Sequence, residues 1–238
     1  MPEKIMKRTT ISMLSCVLPW FLLPCSLAAQ YEHPDLKSGK KIIKNILVLP
    51  PSASLVKAGM KGNEPLVAES QALESGLSSV VRESLSGMGC NIVQDAFSPA
   101  ALDQNPDLKY ALSDLQTRYD KLQVLLKKKP KDVRAGRFSL GDEVANFSPG
   151  AAADALVFIR ANGWVVTTGK KAFVALTGMG VMYNHVALDI SLVDAQTGTI
   201  LYFAKPGSGG NFVGNPDSMK KAIDKSFSNF VPPNLSKK

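Results

Sequence analysis

The amino-acid sequence predicts an α/β fold: a mixed sheet of about four to five strands with packed helices and one helical insertion. Three observations lead there. Residues 186–204 (VALDISLVDAQTGTILYFA) place Val186, Leu188, Ile190 and Leu192 on one side of an extended chain. They then turn through Asp194 and Gly198 and return as a second apolar run, which is the pattern of an antiparallel hairpin. Residues 42–94 read strand, helix, strand in about fifty residues, a length that suits a parallel crossover. Between these halves, residues 99–150 switch to helical spacing amid charge, as an insertion would.

The elements follow in chain order. Lys4, Lys7 and Arg8, a mostly apolar run over 11–23, and small residues at 26, 28 and 29 have the layout of a secretory signal cut after Ala28 or Ala29. The run is short for a membrane span and is interrupted by Pro19 and Pro24. Residues 30–41 are polar and without period, so a flexible tether is expected. A single α/β domain then spans 42–231. Ile42, Ile43, Ile46, Leu47, Val48 and Leu49 form a strand covered on both faces and closed by Pro50 and Pro51, and 52–62 read as a long loop.

Asn63 is placed to cap a helix with Pro65 in its first turn. Leu66, Leu73, Leu77, Val80, Val81, Leu85 and Met88 give that helix an apolar stripe ending at Gly87 and Gly89, before a short strand at 90–94. In the insertion, Leu108, Leu112, Leu115, Tyr119, Leu122 and Leu126 define a long helix stopped by Pro130, and 139–155 suggest a shorter one. ALVFIR (155–160) and GWVVTT (163–168) predict a strand with a bulge at Asn162 and Gly163. Pro216 and Asp217 open a final helix bearing Met219, Ile223, Phe227, Phe230 and Val231, and 232–238 are expected to be disordered.

Reactive groups are scarce. Two of the three cysteines, Cys16 and Cys25, fall in the leader, so Cys90 is the remaining thiol and no internal disulfide is expected. His33, His185 and Cys90 are too few and too scattered for a metal site, and no cofactor is expected. A Cys90–His185 nucleophile pair is the one catalytic arrangement available, and a thiol opening an apolar strand reads better as a small hydrophobe. The formal charge is +8, with Lys127, Lys128, Lys129 and Lys131 forming the densest basic surface. Such runs are most often solvated helix faces; read as a functional surface in an exported protein, this one favours an anionic membrane or a cell-wall polymer over nucleic acid.

A second candidate surface is KKAFVALTGMGVMY (170–183). Its Phe173, Val174, Leu176, Met179, Val181, Met182 and Tyr183 suit either a buried element or a segment that docks on a partner.

KNILVLPP, the following Glu-containing amphipathic helix, ADALVFIR, VDAQTGTILY and the final helix together resemble a bacterial envelope family. That family includes CsgG, the penicillin-binding-protein activator LpoB and the amino-terminal domain of TolB. The resemblance covers about 44–231. It implies a periplasmic or outer-membrane-associated, non-enzymatic domain that binds another envelope protein in assembly, secretion or cell-wall synthesis, with self-association into a homo-oligomer left open. The chain departs from the lipoprotein members where Pro24 precedes Cys25. The alternative reading is a periplasmic small-ligand or lipid-binding protein with a pocket between sheet and insertion helix.

Overall fold

A computed structural model describes residues 29–60, 62–94, 97–167, 169–170, 174, 177, 184–206, 212 and 215–230. Residues 1–28, the tail from 231 and most of 171–183 lie outside the described residues. The fold class is the expected one, and the sheet is larger. Among the described residues it has eight strands in the order β1-β8-β7-β6-β2-β5, with β3 on β6 and β4 on β3.

These strands are β1 (Ala29–Glu32), β2 (Asn45–Val48), β3 (Ser52–Gly59), β4 (Gly62–Pro65), β5 (Asn91–Ile92), β6 (Ala155–Val166), β7 (His185–Asp194) and β8 (Ile200–Lys205). The helices are α1 (Pro34–Lys37), α2 (Val67–Gly87), α3 (Pro99–Gln104), α4 (Pro106–Lys128) and α5 (Pro216–Ser226).

The β7–β8 hairpin and its antiparallel partner β6 form the centre, and β2 pairs parallel to both β6 and β5. Alternation along these strands sends side chains to two separate cores. Ile46, Val48, Val157, Ile159, Ile190 and Leu192 pack under α2 and α5 with Leu77, Leu85, Ile223 and Phe227. Leu47, Leu49, Leu156, Phe158, Val193 and Phe203 pack on the other face with Leu115, Tyr119 and Leu126 of α4. The insertion is therefore the second covering layer of the sheet. Both faces of β7 are covered, so that Asp189, Ser191 and Asp194 are buried along with its apolar residues.

Four further expectations change. Residues 30–41 are not a tether. Four residues of β1 pair antiparallel to β8, Gln30 Nε2 donates to Lys225 O at the end of α5, and the His33 side chain caps α1. The prolines after β2 interrupt the ladder without turning the chain, so 52–59 is a strand lying parallel to the far half of β6 and not a loop. The proposed cap at Asn63 fails because 62–65 hydrogen-bonds to β3, and α2 starts at Val67 without a side-chain cap. Residues 139–155 form 3-10 turns (Asp142–Asn146 and Ser148–Gly150) in place of a helix.

The bulge foreseen at Asn162 and Gly163 is absent, since β6 and β7 keep register from Ala155↔Asp194 to Trp164↔His185. Gly163 serves instead as a point of close approach, where an added Cβ would lie 2.3 Å from the His185 carbonyl oxygen.

Candidate interaction surface

The basic surface is built by the end of α4 and the 3-10 turn that follows it (Pro130–Ala135). Basic residues in the last turn of α4 suit the negative end of the helix dipole. Lys128, Lys129 and Lys131 are exposed, as expected. Lys127 is exposed as well, and its ammonium also lies 2.9 Å from Asp189 Oδ2, a carboxylate almost wholly buried in β7. It therefore joins the surface to the packing between α4 and the sheet.

That packing is a polar band within the second core. Tyr119, Gln123 and Lys127 recur every fourth residue on α4 and so share one face. Tyr119 Oη and Ser191 Oγ are 2.7 Å apart, and Gln123 Nε2 donates to Asp189 Oδ2 at 2.8 Å. Arg160, the cross-strand neighbour of Asp189, donates to Asp120 Oδ1 at 2.6 Å and lies over the Tyr119 ring at 5.1 Å. Tyr119 also stacks on Phe158 with ring centroids 4.2 Å apart. The band fills the place where the alternative reading put a ligand pocket.

The folded body adds cations that sequence spacing could not connect. Lys205, at the end of β8, donates weakly to Lys127 O at 3.5 Å and sits 5.8 Å from the Phe203 ring. Arg134 lies over the Tyr31 ring at 5.5 Å and donates to Gln30 O. Together they continue the basic surface from α4 around the β8–β1 edge. The signal for this was hidden, because it depends on β1 being a strand.

Of the second candidate surface, Val174 is described and is buried. Phe173, Leu176, Met179, Val181, Met182 and Tyr183 lie outside the described residues. In the strands on either side of it in sequence, the exposed Trp164 on β6 and the half-buried His185 on β7 stack with ring centroids 4.4 Å apart.

Cys90 and His185 do not meet. Cys90 precedes β5 at the Ala155 end of β6, while His185 pairs with Trp164, nine residues along. At about 3.3 Å per residue the two are roughly 30 Å apart along the sheet. Cys90 is buried, and that burial pushes its thiol up to about 11. In a chain lacking residues 1–28, where Cys90 is the sole thiol, alkylation at neutral pH is expected to run roughly a hundredfold slower in the native than in the denatured protein. Equal rates in a thiol-labelling time course would contradict this placement.

Two clefts open on the surface. One, of about 230 Å³, lies between α4 and the 3-10 turns, with Tyr110, Leu115 and Phe147 in its lining and the Arg118–Glu143 ion pair at its rim. The other, of about 520 Å³, opens beside β1 between Lys37, Arg134 and Asn229. Glu32 lies in its wall, where burial pushes the carboxyl above its usual range against the opposing influence of Lys37. Among the described residues there is no group of three or more His, Cys, Asp or Glu that would hold a metal. No helix there is long and apolar enough to cross a membrane.

These features define an α/β protein with a mixed sheet covered on both faces and a cationic edge. No protein-family model matches the chain, and no curated protein matches it. Among solved structures it is similar to the PelC dodecamer from Paraburkholderia phytofirmans, at a TM-score of 0.41 and 13% identity over 86% of this chain and 96% of that one. A single-substitution variant of the same dodecamer gives a TM-score of 0.41 and 13% identity over 85% and 97%.

Proposed function

We propose that this protein is an exported, non-enzymatic accessory component of the bacterial cell envelope that binds another envelope component in assembly, secretion or cell-wall synthesis. The observation that carries this reading is the cationic edge formed by Lys128, Lys129, Lys131 and Arg134, and the signal-like pattern read in residues 1–29 supports it. Clustered cations of this kind attract anionic surfaces and polymers and speed encounter with acidic partners. The sequence resemblance to the CsgG, LpoB and TolB family points the same way, and the buried, protonated Cys90 gives no support to nucleophilic chemistry.

Fractionation of bacteria expressing the tagged full chain tests the compartment, and cross-linking in intact cells tests the partner. The expected result is a shortened protein in the periplasmic or outer-membrane fraction. Its cross-link to one envelope component should be lost on deleting 170–183 or on combining Lys128→Glu, Lys129→Glu and Lys131→Glu. An unprocessed protein retained in the cytoplasm would overturn the proposal.

A further inference from the structure

We infer that the cleft beside β1 is a binding site for a small organic anion that also carries a hydrogen-bond donor, an amino- or hydroxy-carboxylate unit. Its size, about 520 Å³, falls in the range of small-ligand sites. Two observations fix the chemistry.

The first is the cationic rim. Lys37 and Arg134 both line the cleft, and among the described residues neither has a carboxylate within ion-pair distance. Arg134 is held in place by the Tyr31 ring and the Gln30 carbonyl, which engages one of its five N–H groups. The remaining fork suits a carboxylate.

The second is Glu32. Its Oε1 is buried and has no hydrogen-bond partner among the described residues. Leaving a buried acceptor unmatched is costly. The Lys37 ammonium acts on Glu32 through its charge without a hydrogen bond to it, and the other nearby donors are committed elsewhere. Tyr202 Oη donates to Ser226 O, the Gln30 amide donates to Lys225 O and Ser228 Oγ, and Asn229 N donates to Gln30 Oε1. A donor on the ligand would satisfy this carboxyl and leave Lys37 to the ligand's own carboxylate, and rotation about the last torsion of Glu32, which is soft, presents either oxygen to the cleft. One ligand meeting both demands places its carboxylate at Arg134 and Lys37 and its ammonium or hydroxyl at Glu32.

Alanine, lactate and propionate separate these requirements, since they share a three-carbon carboxylate and differ in bearing an ammonium, a hydroxyl or neither. Each is titrated into the isotopically labelled full chain and followed by the backbone amides of Glu32, Lys37 and Asn229. Alanine and lactate are expected to bind roughly tenfold more tightly than propionate, the effect of one hydrogen bond to a charged group. Arg134→Gln, at an exposed position, should weaken all three, while Glu32→Met, which has no oxygen acceptor, should remove the preference over propionate. Equal affinity for the three carboxylates, or no saturable shift up to their solubility limit, would overturn the inference. Neither outcome bears on the accessory role proposed above.

Discussion

Asp189→Ala is expected to lower the midpoint of thermal unfolding by roughly 5 °C, corresponding to about 1–3 kcal/mol for a buried donor left without its acceptor in a domain of this size. Asp189 is nearly inaccessible, yet it is surrounded by donors: Gln123 Nε2 at 2.8 Å, Lys127 Nζ at 2.9 Å, and Arg160 as its cross-strand neighbour. Alanine removes the acceptor and leaves the amide with no acceptor at that position and a cation beside a closed apolar face. Asp189→Asn retains an acceptor and should lose less. Replacing Lys127 by Met in the Asp189→Ala background should recover part of the loss, because the uncompensated charge goes with it. Differential scanning calorimetry of the four proteins reads these outcomes, and a shift under 2 °C for Asp189→Ala would show that the band does not anchor α4 to the sheet.

Gly163→Ala should cost about 3 kcal/mol, at the upper end of overpacking effects. The obstacle is main chain, the His185 carbonyl oxygen at 2.3 Å from the new Cβ, with Val186 Cα at 3.0 Å, so no side-chain rotation can relieve it. β6 and β7 must separate locally, and the first pair to suffer is Trp164 with His185. In a chain lacking residues 1–28 Trp164 is the only tryptophan, so its emission reports directly on that pair. A lowered melting temperature with altered tryptophan fluorescence is the expected result. Gly87→Ala is the control. Its Cβ meets nothing within 4 Å at the end of α2, and helix propensity alone predicts a gain of up to about 1 kcal/mol. If both alanines behave alike, the close approach at Gly163 is not real.

How much of this was legible in the sequence depended on whether an element advertises itself locally. The β7–β8 hairpin, α2, α4 and α5 were plain because each buries a periodic apolar set, such as Leu73, Leu77, Val81 and Leu85 in α2. β3 was not. Its sequence SASLVKAG buries only Leu55 and Ala58, and its position is set by seven paired residues on β6, a partner found about a hundred residues away. β1 was missed for the same reason, since AQYE has no pattern until β8 supplies one.

Gly163 carried a correct signal, that something unusual happens in the strand, but a glycine alone does not distinguish a bulge from a close approach. In the candidate surface, Lys128, Lys129 and Lys131 were readable as exposed charge. The attachment of Lys127 to Asp189, and the joining of Arg134 and Lys205 to the same edge, required knowing which face of α4 met which strand.

The placement of β1 also dictates an order of events. Gln30 reaches the backbone of Lys225, 195 residues later, and β8, the strand that pairs with β1, is the last in sequence among the described residues. A chain threaded outward from its amino end must therefore hold these four residues idle until nearly all the rest has emerged. The body can collapse earlier around β6 and β7, but its border closes only when the two extremities find each other, so a stalled or shortened product would carry an unprotected strand edge prone to pairing with a neighbour.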